Sequence, residues 1–254
     1  MTDIVFVHGW PLFGATWKRL AAQLPEHRCH LVDLPGSPHS AHARHADLSA
    51  PGLARWIRDW ASQRGLGSYA LVAFDSGAFF ARLVAAEDRR VTALVMSNTE
   101  VAGHRPPWVP TYRKLGGLPG SHWAFSVLLR SRAFLRSSAG FGGCFVDPAR
   151  IDAEFIDTFI EPLRTPSGID GALRVLRAFD YASVDRQAEL HARIQAPVHL
   201  VWGEYDPTFP VRLLESFAAS FPTLASVTRL SGKLLVHDEQ PEAYAAVVRR
   251  AVSC

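Results

Sequence analysis

Leu71-Val72-Ala73-Phe74-Asp75-Ser76-Gly77-Ala78 decides the fold of this chain. Its first half is an apolar run of strand length, and its second half is small and helix-compatible, with a carboxylate at the junction. A strand that turns this sharply into a helix crowds its own backbone. The positions two before and two after the presented side chain must therefore be small. Centred on Asp75, those positions are Ala73 and Gly77; centred on Ser76, one of them is Phe74, whose ring would collide with the turning chain. Asp75, rather than Ser76, is the side chain that this elbow presents. The plain structural alternative is a helix N-cap, a role that Asp fills well.

Working outward, Ile4–Val7 reads as a short strand buried on both faces, and Cys29–Val32, Tyr69–Phe74, Val91–Met96, Pro197–Trp202 and Ser226–Leu230 as further short strands. Helical patterns fall between them, at about 15–24, 51–64, 77–86, 211–221 and 239–252, with Trp17, Leu20 and Leu24 on one stripe and Leu53, Trp56, Ile57 and Trp60 on another. This alternation predicts an α/β fold, a mostly parallel sheet with helices on both faces. In such sheets ligands bind at the carboxyl ends of the strands. His8-Gly9, Asp33, Asp75, Asn98–Glu100 and Asp206 all fall there. Residues 101–185 break the alternation. They are rich in aromatics and Gly, with helical patterns near 123–136, 151–163 and 168–179, and read as a helical cap inserted into a core of residues 1–100 and 186–254.

Three signals in order, the strand end His8-Gly9-Trp10-Pro11, the Asp75 elbow and the late strand end Trp202-Gly203-Glu204-Tyr205-Asp206, resemble the α/β-hydrolase superfamily. Within it the chain looks like the aspartate-nucleophile branch of epoxide hydrolases and haloalkane or haloacid dehalogenases. The resemblance runs nearly end to end and is weakest between about residues 101 and 185. Relatives usually carry a further hairpin before the His-Gly strand, so a shortened sheet is expected.

The resemblance implies a chemistry. A carboxylate nucleophile suits an electrophilic sp³ carbon, forming an ester that water must later cleave. Backbone N–H groups of Trp10 and Ser76 would hold one oxygen of Asp75 and stabilise the oxyanion during ester hydrolysis. Asp206 matches the acid of the triad, with Glu100 as a rival. The histidine departs from the family's run Gly-His-Phe-x-His-Glu-Glu. Within Ser231-Gly232-Lys233-Leu234-Leu235-Val236-His237-Asp238, Leu234 stands where the base belongs and His237 matches the second, accessory histidine. His237 serves as base only if the loop is remodelled; otherwise it is a histidine at the start of the last helix. In the epoxide reading Tyr112 or Tyr181 protonates the opening oxygen. In the dehalogenase reading Trp108 and Trp123 are the candidate indole donors. The residue after the nucleophile is Ser76, neither the Trp nor the Arg of the halide enzymes, so halide chemistry is disfavoured. The leading expectation is a hydrolase opening an epoxide on an apolar small molecule. The alternatives are a dehalogenase, or an altered member that binds a ligand or catalyses an isomerisation or cyclisation.

Composition narrows the classes further. The chain has 254 residues, 48% of them hydrophobic, which suits one large domain with a core. Its net charge of +3 is mild and spread along the sequence, so no nucleic-acid partner is expected. Cys29, Cys144 and Cys254 lack framework spacing and read as free thiols. No run reaches membrane-spanning length and no signal peptide is visible. A cytoplasmic monomer or homodimer with no membrane partner is expected. His39, His42 and His45 resemble a metal run but lie in a Ser/Ala-rich loop without companion ligands, and a solvated loop is the better reading. Gly140-Phe141-Gly142-Gly143 follows no strand, so a phosphate cradle is not expected. No metal or organic cofactor is required.

Overall fold

The computed structural model describes residues 1–40, 46–106 and 108–253. Six strands, β1 (Asp3–Val7), β2 (Arg28–Val32), β3 (Tyr69–Phe74), β4 (Val91–Ser97), β5 (Val198–Gly203) and β6 (Leu224–Leu230), form one sheet in the order β2-β1-β3-β4-β5-β6. Every pairing is parallel. The expected α/β architecture is therefore the observed one. β1, β3 and β5 are buried along their whole length, as continuous apolar runs covered on both faces must be. Each fully buried Val, Leu or Phe contributes about 1.5–3 kcal/mol through the apolar surface it removes from water.

The helices Ala50–Gln63 and Asp75–Glu87 pack against each other, and Pro241–Val252 lies against β4 and β5. Ser49 caps the first of these by accepting from the Gly52 N–H at 3.2 Å. The first expected helix, at 15–24, is shorter than its pattern: a 3₁₀ turn at Gly14–Trp17 runs into one helical turn at Lys18–Ala21. Between β4 and β5 the described chain is helical with no strand, and its longest helix is Pro166–Ala178, capped by Thr165. The helical pattern near 123–136 breaks into Ser121–Leu128 and Arg132–Arg136, because Ser131 starts a new cap by accepting from the Phe134 N–H.

Two close approaches seat this helical insertion and the elbow. A Cβ on Gly171 of the Pro166–Ala178 helix would lie 2.4 Å from the Gly36 carbonyl oxygen, so helix and core loop touch backbone to backbone. The Trp10 indole N–H then donates to the Ala172 carbonyl at 2.8 Å. No helix among the described residues is long and apolar enough to cross a membrane.

Gly171→Ala is expected to lift the helix from the core and cost about 2 kcal/mol, the typical penalty for overpacking. That corresponds to a fall in Tm of about 6 °C for a domain of this size, read by thermal unfolding.

Candidate active site

β3 delivers the chain to Asp75, which takes φ 50°, the one non-glycine residue with positive φ among the described residues. Such backbone costs on the order of 1–3 kcal/mol and persists where surrounding structure imposes it. Here the imposition is visible. A Cβ on Gly77 would fall 2.2 Å from the His8 carbonyl oxygen, and one on Gly9 would fall 2.5 Å from Asp75 Cβ and Oδ2. The end of β1 and the elbow are thus in backbone contact, and the Asp75 N–H is pinned to the Asn98 carbonyl at 2.9 Å. The small-residue rule read from the sequence is met.

The Trp10 N–H donates to Asp75 Oδ2 at 2.9 Å and also lies 3.0 Å from Ser76 Oγ, while the Ser76 hydroxyl sits 3.4 Å from the same carboxylate oxygen. The backbone N–H of Ser76 also favours the charged carboxylate. Both groups expected to hold Asp75 therefore lie against it.

Asp75 and Glu100 open into one cavity of about 160 Å³, walled mainly by apolar side chains from the helical insertion. Tyr181, Tyr112, Trp108, Cys144 and Leu234 also reach it. Burial pushes the carboxyls of both Asp75 and Glu100 above their ordinary range, and the charge of Glu100 pushes Asp75 further. Two such groups in one dry site do not both ionise readily. Thr99 Oγ1 donates to the Asp75 backbone carbonyl at 2.9 Å and lies 2.9 Å from Glu100 Oε2. The charge of Arg82 favours the ionised form of Glu100, while the Ser76 and Trp10 backbone N–H groups favour that of Asp75.

Arg82 closes this network from below. It is fully buried, donates from Nη2 to the Glu100 carbonyl at 2.9 Å, and has Nη1 3.1 Å from His191 Nε2 and 3.3 Å from Gln187 Oε1. Sequence reading missed it. The signal was a cation at helical spacing from Ala78, on the buried stripe of the helix that begins at Asp75.

The remaining expectations fare differently. Asp206 is buried, but its oxygens accept from Asn98 Nδ2 at 3.0 Å, the Thr208 N–H at 2.8 Å and the Phe209 N–H at 3.2 Å. Burial raises its pKa to about 6, and those bonds lower it only in part. No hydrogen bond joins it to a histidine among the described residues. The reading of His237 as a base facing Asp75 needs correction. Its Nε2 lies 3.2 Å from Thr16 Oγ1, and its ring packs 4.1 Å from that of Trp17 and 4.6 Å from that of Phe74. The short helix Val236–Glu239 turns it into the core, while Leu234 takes the cavity wall. Burial lowers its pKa to about 3, so it stays neutral.

Trp123 also departs from expectation: it is 74% exposed and lines no part of the cavity. Tyr112 donates its hydroxyl to the Ala139 carbonyl, whereas the Tyr181 hydroxyl has no hydrogen-bond partner among the described residues. Asp33 accepts from the Gly14 N–H at 2.8 Å and holds a turn. His39 packs edge-on against Phe13, and His42 and His45 lie outside the described residues. Gly140–Gly143 bends tightly: a Cβ on Gly142 would meet the Arg136 carbonyl oxygen at 2.0 Å.

Comparison with known proteins agrees with this fold. The alpha/beta hydrolase fold family matches residues 3–142. The chain belongs to that family. A pimeloyl-[acyl-carrier protein] methyl ester esterase of Vibrio vulnificus (strain YJ016) is 42% identical over 65 residues, which cover 22% of this chain and 26% of that protein. The chain thus matches about a quarter of that relative's length. An alpha/beta hydrolase fold protein from Burkholderia ambifaria superposes with a TM-score of 0.78 at 24% identity, covering 97% of this chain and 89% of its own. The epoxide hydrolase CorEH superposes with a TM-score of 0.78 at 17% identity over 100% of this chain and 92% of its own.

The position of His237 carries a pH signature. With its pKa near 6.5 unfolded and about 3 folded, the unfolded chain takes up the proton first as pH falls. Stability is full above about pH 6.5 and is lost downward through that window, by about 2 kcal/mol at pH 5. His237→Gln, compared with wild type by urea unfolding at pH 7 and pH 5, is expected to remove about that much acid sensitivity; an unchanged difference would contradict the buried neutral histidine.

Proposed function

We propose that this chain hydrolyses an epoxide on an apolar small molecule by direct attack of water, without an ester on Asp75. Ionised Asp75 acts as general base and takes a proton from a water molecule, whose oxygen attacks an epoxide carbon as the ring C–O bond breaks. Tyr181 gives its proton to the opening oxygen, and the product is a diol. Glu100 stands on the same wall. Asp206 and Asn98 hold the strand ends that frame the elbow.

The observation that supports this most is the makeup of the cavity wall: two carboxyls and an unpartnered tyrosine hydroxyl, with Leu234 where an ester-cleaving histidine would stand. A two-step route needs a base to activate water against the ester. His237 has its Nε2 on Thr16 and its ring between Trp17 and Phe74. A one-step route needs no such base, because Asp75 is not consumed.

A second reading keeps Asp75 as nucleophile, and the two backbone N–H groups aimed at its carboxylate favour it. On that reading the ester accumulates for want of a base. Halide chemistry keeps Trp108 as an indole on the cavity wall but draws less support, since the Trp10 indole is spent on Ala172 and Trp123 lies outside the cavity. Ester hydrolysis, the activity named for the Vibrio relative, would draw on Ser76 if it used a serine nucleophile. Ser76 has no histidine within hydrogen-bond distance among the described residues, so ester hydrolysis is the weaker reading.

The test is a panel of aryl and alkyl epoxides, with diol formation and intact-protein mass followed together. Wild type is expected to form diol with no adduct, Asp75→Asn to lose about 10³-fold in kcat, and Tyr181→Phe about 10²-fold. His237→Gln is expected to stay within about three-fold of wild type, as suits a residue outside the site. A stable adduct of one substrate mass on wild type would favour the ester reading; no diol from any epoxide would overturn both. Because burial raises the Asp75 carboxyl, kcat is expected to fall as pH drops, by protonation of Asp75.

A further inference from the structure

The helical insertion has a second face that the cavity does not use. Its helices Val109–Gly116 and Ser121–Leu128 form a hairpin joined by a short turn. Phe125 points inward and lines the cavity, followed by buried Leu129. Trp123 and Val127, four residues apart and so on one helical face, point outward and are 74% and 44% exposed. Leu115 and Leu118 flank them, also exposed. Large apolar side chains gathered on one exposed hairpin mark a surface that is covered in use.

The charge around this hairpin is one-sided. From residue 101 to residue 146 the sequence holds six Arg and Lys and not one Asp or Glu, so the rest of the chain is net acidic. The mild total charge hides this block. Arg105 pairs with Asp185, while Arg113 donates to the Phe179 and Arg177 carbonyls. Arg136 reaches the Ile151 carbonyl. Lys114, Arg130 and Arg132 are exposed and have no ion pair among the described residues. They stand beside Leu115 and just beyond Val127. On the neighbouring helix, Asp170 lies 3.5 Å from His122 of the hairpin.

We propose that this hairpin docks on an anionic lipid surface. Trp123 and Val127 enter the boundary between headgroups and acyl chains, and Lys114, Arg130 and Arg132 meet the lipid phosphates. Trp is favoured at that depth because its ring is apolar and its N–H is polar. Exposed cations beside an apolar face are what an interfacial helix uses to hold an anionic membrane. The sequence reading excluded a spanning segment, and docking requires none. The same helix that presents Trp123 outward walls the cavity with Phe125, so an apolar substrate dissolved in the bilayer would reach the cavity along one hairpin. The proposal goes beyond the epoxide reading and stands whatever reaction the cavity carries out.

The test is flotation of the full chain with vesicles of phosphatidylcholine alone or with three parts in ten phosphatidylglycerol. Binding to the anionic vesicles is expected, with at least ten-fold weaker binding to phosphatidylcholine and release at high salt. The triple variant Lys114→Gln, Arg130→Gln, Arg132→Gln is expected to bind about 100-fold more weakly, since each cation near the surface contributes about five-fold. Trp123→Ser with Val127→Ser is expected to abolish binding with an unchanged circular dichroism spectrum and Tm. Failure to float with anionic vesicles, or flotation undiminished in both variants, would overturn the proposal. So would a wild-type dimer that Trp123→Ser converts to monomer, which would assign the face to a second copy of the chain.

Discussion

The backbone contact between the end of β1 and the elbow after β3 is the constraint on which the site depends. Asp75 accepts a left-handed backbone because Gly77 lets the new helix start against His8, and Gly9 lets the β1 loop pass over the carboxylate. The same contact brings the Trp10 N–H to Asp75 Oδ2. The Trp10 indole in turn ties that loop to the helical insertion through Ala172. One residue thus joins the Asp75 carboxylate, the core and the roof of the cavity. A side chain larger than glycine at position 9 or 77 would break all three relations together.

Burial then sets the chemistry. Inside an apolar cavity neither Asp75 nor Glu100 ionises easily. Arg82 does not neutralise the pair through a direct bridge to either carboxylate. It donates to the Glu100 backbone carbonyl and stands beside Thr99, holding the turn that carries Glu100. The two carboxyls thus stand on one wall with different partners: backbone N–H groups at Asp75, and the Thr99 hydroxyl and the Arg82 charge at Glu100.

The fold was legible because central strands such as Ile4–Val7 and Tyr69–Phe74, buried on both faces, read as unbroken apolar runs; the edge strands β2 and β6 are partly exposed and were read from their place in the alternation. The Asp75 elbow was legible because its steric rule concerns neighbours in sequence, Ala73 and Gly77. Legibility ended where direction matters. The spacing of His237 from the last helix does not say whether its ring faces the cavity or the core; that follows from the turn at Leu235, which sends Leu234 one way and His237 the other. Asp206 read as a triad acid, yet its acceptors are filled by its own turn and by Asn98. Trp123 and Phe125, two residues apart on one helix, cannot share a face, and only the packed structure shows which is inside. Arg82 was missed because a cation within a helix reads as solvated unless its partners, Gln187 and His191, are known to converge on it from more than a hundred residues away.

The central claim is that the cavity works without a histidine and therefore without an ester on Asp75. It is tested most directly by a single turnover of an epoxide in H₂¹⁸O with enzyme in excess, followed by mass analysis of the diol and of the peptide containing Asp75. Direct attack by water puts ¹⁸O in the diol on the first turnover and leaves Asp75 unlabelled. An unlabelled first diol, with ¹⁸O in the Asp75 carboxyl, would contradict the claim and restore the two-step route.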